Sequence, residues 1–146
     1  MTMSTINNQI RNARERKGWT DVFTAEKVGL SIHEYDDVEA YEDEVRNVLS
    51  LATLRRLCAA LDLDLYELFS ISPTPPYPGG RATLVKDRRQ ILGLSTEEVG
   101  DKVGFYGHVI EEMEQNEEFL ESWCLDDILE LAKVLGVPPA SFLGHF

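Results

Sequence analysis

The sequence predicts an all-α fold built as two tandem five-helix modules joined by a Pro-rich linker, and three observations carry that expectation. Moved along itself by 75 positions, the chain repeats: Lys17-Gly18-Trp19-Thr20 falls on Leu92-Gly93-Leu94-Ser95, Lys27-Val28-Gly29-Leu30 on Lys102-Val103-Gly104-Phe105, His33 on His108 and Glu39 on Glu114. Past a one-residue slip, Leu51, Leu54, Leu57, Leu61, Leu63, Leu68 and Phe69 fall on Leu125, Ile128, Leu131, Leu135, Val137, Phe142 and Leu143. Self-similarity over such a distance is the mark of a duplicated structural unit. The second observation is apolar spacing of three and four residues, bracketed by capping side chains and glycines. The third is a run between the copies, Pro73-Thr74-Pro75-Pro76-Tyr77-Pro78-Gly79-Gly80, whose four prolines in six positions favour an extended, fairly stiff spacer. The expected division is 1–70, a linker over 71–82, and 83–146.

Each helix has a local reason. Ser4 to Lys17 places Ile6, Ile10 and Ala13 on one side and Arg11, Arg14, Arg16 and Lys17 around them, and Gly18 stops it. Thr20 caps a second helix to about Val28, where Gly29 supplies the C-terminal turn. Ser31 caps a third, with Tyr35 and Val38 inward. Leu51 to Leu61 is a fourth, and Asp64-Leu65-Tyr66-Glu67 opens a short fifth that ends near Ser70. The second copy follows suit: Thr83 to Leu92, a capping box at Ser95-Thr96-Glu97-Glu98, a third helix over Phe105 to Gln115 weakened by Gly107, a fourth over Leu125 to Leu135, and a last short turn opened by Pro138-Pro139. As an extended spacer, Ser70 to Gly80 reaches about 34 Å, with Gly79-Gly80 as a swivel.

Composition narrows the function. A formal charge of −12 opposes general affinity for nucleic acid or anionic membrane. No run of about 18 apolar residues is present, and Met1 to Asn8 carries no basic-then-apolar leader, so a soluble cytoplasmic protein is expected. Cys58 and Cys124 occupy unmatched places in the two copies, which suits free thiols in a reducing compartment, Cys58 as a buried one. Nothing in the chain has the spacing of a nucleophile elbow, a phosphate-cradling Gly loop or a zinc site, and no cofactor is expected. Exposed carboxylates on one helix face lack the burial that separates acid from base roles, so the chain reads as a non-enzyme.

The five-helix order, the Gly turn between second and third helices, and the turns Leu61-Asp62-Leu63 and Leu135-Gly136-Val137 resemble the lambda-repressor-like, Xre/Cro-type helix-turn-helix family. The second copy carries the resemblance best, through Arg88, Arg89, Gly93-Leu94-Ser95-Thr96-Glu97-Glu98-Val99, Val103-Gly104, Ile110, Met113-Glu114 and Leu131 to Val137. The first carries it through Arg14, Lys17-Gly18-Trp19-Thr20, Val28 to Ser31, Tyr35, Val38-Glu39 and Leu57 to Leu68. The resemblance implies a transcription regulator whose third helix enters the major groove.

The residues at that position point elsewhere. They are Ser31, Ile32, His33, Glu34, Asp36 and Asp37 in one copy, and Tyr106, Gly107, His108, Val109, Glu111 and Glu112 in the other. None is the Arg, Lys, Asn or Gln that usually reads bases. Ser31 to Val45 holds seven acids and Phe105 to Glu121 six, with no Lys or Arg in either stretch. Phosphate contact, if present, falls to the first helices, through Arg11, Arg14, Arg16 and Lys17 and through Arg81, Lys86, Arg88 and Arg89. His33 and His108 recur at the start of the third helix but have no second His at metal-binding spacing. His145, close to the C-terminus, suggests nothing specific. Among Trp19, Tyr35, Tyr41, Phe105, Tyr106, Phe119 and Trp123, Trp19, Tyr35 and Phe105 read first as core, and a few of the others stand near the acids.

Two readings therefore stand side by side. One is an Xre/Cro-like regulator with weak or atypical DNA binding. The other is an interaction protein, such as an antitoxin, anti-repressor, immunity protein or DNA mimic, that meets a basic protein through its acidic third helices. The basic first helices and acidic third helices also give each module opposite poles, which favours pairing of modules or a homodimer.

Overall fold

Thr5, Thr20, Ser31, Ser50 and Asp64 each point a side-chain oxygen at backbone N–H groups two or three residues on, and a helix begins at each. The computed structural model describes residues 5–144, all-helical with no strand among them. The expected helix start at Ser4 and the side chain of His145 lie outside the described residues. The chain divides into two compact units, Met1–Ile71 and Ser72–Phe146.

The first unit holds α1 (Ile6–Arg16), α2 (Asp21–Val28), α3 (Ile32–Ala40), α4 (Leu51–Ala60) and α5 (Leu65–Leu68). Ile10, Val28, Tyr35, Val38, Leu51, Leu54 and Leu57 are wholly buried and form its core. Gly29, at φ 76°, takes the left-handed conformation that ends α2 and turns the chain into α3. Ser31 and Glu34 form a capping box, the Ser31 hydroxyl accepting from the Glu34 N–H and the Glu34 carboxylate accepting from the Ser31 N–H at 3.0 Å. A single π-helical turn at Glu44–Val48 precedes α4. No local spacing predicts that turn.

The second unit holds α6 (Gly80–Ile91), α7 (Thr96–Val103), α8 (Gly107–Gln115) and α9 (Leu125–Leu135), with 3-10 turns at Phe119–Ser122 and Pro139–Phe142. Val85, Val99, Ile110, Leu125, Ile128, Leu131, Leu135 and Phe142 are buried against one another. Two expectations are corrected here. The first helix begins at Gly80 rather than Thr83, because the Glu117 carboxylate accepts from the Arg81 N–H at 2.6 Å and the Ala82 N–H at 3.1 Å. Gly79-Gly80 is thus no swivel: it is the start of a capped helix, and a Cβ at Gly80 would collide with Glu117. The Tyr77 hydroxyl donates to Asp87 at 2.7 Å, so the end of the Pro-rich stretch is also tied to α6.

Gly107 has a role that its helix propensity does not show: it lets the start of α8 sit against α7, since a Cβ there would lie 2.8 Å from Glu97 Cγ and 3.1 Å from Glu97 backbone. Gly100 does the same from the α7 side, where a Cβ would lie 2.5 Å from the Phe105 carbonyl oxygen. The first unit has Ala25 and Ile32 at the matching places, so its α2–α3 turn has room for side chains.

Gly100→Ala is therefore expected to destabilise the second unit by about 1–3 kcal/mol, because the neighbour is backbone and cannot swing aside. Ala25→Gly in the first unit loses a buried methyl as well as helix propensity and should cost about 1–2 kcal/mol, with no clash to relieve. Urea denaturation followed by circular dichroism compares the two, and an unchanged midpoint for Gly100→Ala would show that the turn yields.

Candidate functional site

The 3.6-residue repeat of α3 turns Tyr35 and Val38 inward and leaves Ser31, His33, Glu34, Asp36 and Asp37 exposed, with Ile32 half-buried. The repeat of α8 buries Ile110 and Met113 and leaves Tyr106, His108, Glu111 and Glu112 exposed, with Gly107 and Val109 half-buried. Every carboxylate expected on these faces is at the surface. Their chemistry is uneven, however. Glu34 is committed to the α3 capping box, and its hydrogen bonds with Ser31 hold its carboxyl below the ordinary value. Asp36 lies beside Asp21 of α2; loss of surrounding solvent and that neighbouring carboxyl raise its pKa. At the matching places of the second unit the Thr96 hydroxyl donates to Glu111 at 3.3 Å, so one carboxylate pair has become a hydroxyl and a carboxylate.

Beside α8 a groove of about 430 Å³ is lined by Glu97, Asp101, Tyr106, Gly107, His108 and Glu111. The Tyr106 and His108 rings stack at its edge, 5.7 Å apart and 12° from parallel, with Tyr106 78% exposed. Glu97 and Asp101 escape a search confined to the third helix. The signal that finds them is their i, i+4 spacing on α7, which stacks both on the side facing α8. Trp123 is buried, stacked on Phe105 at 4.3 Å, so it adds nothing to the aromatic surface.

The cations tell the more decisive story. Arg14 forks onto Glu39, its Nε donating to one carboxylate oxygen at 2.6 Å and its Nη2 to the other at 3.1 Å, while Nη1 donates to the Trp19 carbonyl at 2.9 Å. Arg89 repeats the arrangement with Glu114 at 2.7 and 2.9 Å and with the Leu94 carbonyl at 3.1 Å. Arg11 also donates to Glu39, at 3.3 Å to the carboxylate and 3.1 Å to its carbonyl. Arg81 binds Glu121 at 2.7 Å and the Glu117 carbonyl at 2.7 Å, and Arg88 donates to the Leu135 carbonyl at 2.9 Å. Lys17 pairs with Asp62 at 2.8 Å and lies over the Trp19 ring. Of the eight cations placed at the first helices, Arg16 and Lys86 are exposed and have no such partner among the described residues.

No group of three or more His, Cys, Asp or Glu side chains is arranged to hold a metal ion among the described residues. Burial pushes the Cys58 thiol up to about 12, far from a reactive thiolate, and Cys124 is raised in the same direction by loss of solvent. Among the described residues no helix is long and apolar enough to cross a membrane.

The Arg14–Glu39 clamp predicts an acid response. Burial opposes the charge on Glu39, but hydrogen bonds and attraction from Arg14 outweigh it and hold the carboxyl below its ordinary value of 4.5. A depressed folded pKa stabilises fully above the unfolded value, and that contribution drains away as the pH falls through the folded one. The first unit should therefore lose stability below about pH 4.5, the ordinary value, in a step that Glu39→Gln removes. At pH 7 Glu39→Gln should cost about 1–3 kcal/mol, since it leaves a half-buried guanidinium with an imperfect partner. Urea midpoints measured from pH 7 to pH 3 on both proteins check the two statements, and identical acid limbs would remove Glu39 as the cause.

Compared with known proteins, the chain matches no family model, no curated protein and no solved structure.

Proposed function

We propose that the chain is a non-enzymatic regulatory protein of helix-turn-helix build whose third helices, α3 and α8, meet a basic protein rather than DNA. The observation that carries this reading is the inversion of charge around the third helices. Arg11, Arg14, Lys17, Arg81, Arg88 and Arg89 are held by carboxylates or carbonyls of their own unit, while Asp36, Asp37, Glu111 and Glu112 face solvent. Binding to duplex DNA draws on free cations that release counterions from phosphate, and a carboxylate row at the same surface repels the backbone. A basic protein surface reverses every sign in that account. The arrangement of two modules, each with a Gly turn between α2 and α3 or between α7 and α8, supports descent from an Xre/Cro-type reader whose contact face has changed ligand. Tyr106 and His108 add an aromatic edge of the kind that docking surfaces favour.

The experiment pairs two titrations of the intact protein. Against a random-sequence duplex, followed by fluorescence anisotropy, no binding is expected even at about 50 mM salt, where phosphate contacts are strongest. Against a Lys- and Arg-rich helical peptide, saturable binding is expected. The Asp36→Asn, Asp37→Asn, Glu111→Gln, Glu112→Gln variant should bind that peptide about 30-fold more weakly, from about 0.5 kcal/mol for each exposed pair. Duplex binding that falls steeply between about 50 and 200 mM salt and is lost on Arg16→Ala with Lys86→Ala would overturn the proposal in favour of DNA.

A further inference from the structure

α6 ends on two apolar side chains that the second unit does not cover, Ile91 at 69% and Leu92 at 43% exposure. The duplication supplies an internal control for them. At the matching places α1 carries Arg16 and Lys17, and the backbones agree closely: Lys17 has φ −83° and ψ −7°, Leu92 φ −80° and ψ −5°. In the first unit Lys17 pairs with Asp62 at 2.8 Å. Gly136 stands where Asp62 would be, again in the left-handed conformation, φ 70° against 55°. Both members of the pair have thus been replaced in the second unit, cation by leucine and carboxylate by glycine. The module folds with charge at these places, so folding alone does not call for Ile91 and Leu92.

Leu92 also lines a groove of about 510 Å³, together with Leu94, Val134, Lys102, Lys133 and Glu130. Its apolar part is Leu92, Leu94 and Val134. Glu130 and Lys133 are exposed, one turn apart on α9, and neither they nor Lys102 has an ion-pair partner among the described residues. Charge complementarity selects the occupant. An acidic partner would satisfy the lysines and leave Glu130 facing like charge, and a basic one would reverse the fault. A second copy brought up by a two-fold axis, with the two α9 helices antiparallel, sets Glu130 of each against Lys133 of the other, leaves only Lys102 unpaired and without a like charge imposed on it, and covers Leu92 between them. The geometry points to this groove as the self-complementary contact of a homodimer. The inference does not rest on the acidic-face reading, since it uses neither α3 nor α8.

The test is sedimentation equilibrium of the full chain over the micromolar to millimolar range. The wild type should show a monomer–dimer equilibrium. Ile91→Arg with Leu92→Lys, which installs the first unit's own residues, should stay monomeric throughout while keeping its helical circular dichroism. Glu130→Lys alone and Lys133→Glu alone each turn two attractive pairs into repulsive ones and should weaken the dimer about tenfold, from about 0.7 kcal/mol for each pair. The double exchange Glu130→Lys with Lys133→Glu should restore the wild-type association. A wild type monomeric at every concentration, or a dimer indifferent to Ile91→Arg with Leu92→Lys, overturns the proposal. So does a double exchange no stronger than its single variants, because a two-fold contact must recover. Should Ile91→Arg with Leu92→Lys unfold, the Glu130 and Lys133 series decides the matter alone.

Discussion

The forked ion pair between the first and third helices is the constraint on which the remainder of each unit rests. Arg14 and Glu39 in one unit, and Arg89 and Glu114 in the other, join three separate stretches of chain: the first helix, the residue that follows its terminal glycine, and the end of the third helix. A planar guanidinium bound bidentately to a carboxylate has strict directional demands. It therefore fixes the rotation of α3 about its own axis, and with it which side chains face outward. The net worth of such a pair is small once the loss of hydration is counted, but breaking it strands a charge in poor solvent. Register, more than stability, is what the clamp provides.

That commitment reshapes the electrostatics of the whole protein. Cations that the sequence concentrates at the first helices are turned toward carboxylates, whose charge they offset, and toward carbonyls, which hold them in place. The acids they cannot reach remain outside. A formal charge of −12 is thus expressed at the surface as something sharper than its sum, because much of the positive charge is spent internally. The third-helix faces expose Asp36, Asp37, Glu111 and Glu112.

The helices were legible because their signals are local. Thr20, Ser31 and Ser95 act on N–H groups three residues away, Gly29 and Gly104 end helices by their own conformation, and apolar spacing needs only one helix to be read. The exposed face of α3 and α8 was legible for the same reason, as the complement of the buried positions. What escaped depends on residues far apart in sequence. Glu117 reads as one more acid of an exposed run, yet it caps a helix begun 37 residues earlier, at Gly80. Gly107 reads as a helix breaker until Glu97 is placed against it. The engagement of Arg81 with Glu121, and of Arg88 with the end of α9, could not be seen from patterns within α6. Periodicity distinguishes inside from outside; it does not say which outside charge has found a partner.

The Glu117 cap has a further consequence for the order in which the chain becomes structured during synthesis. In the first unit each of α1 to α5 is capped by a residue adjacent to its start, so each of these helices carries its own terminus as soon as it leaves the ribosome. The first turn of α6 has no such neighbour, and its N–H groups stay with water until the nascent chain has grown past residue 117. Translation thus delivers one unit able to close piece by piece, followed by one whose opening turn waits for its middle.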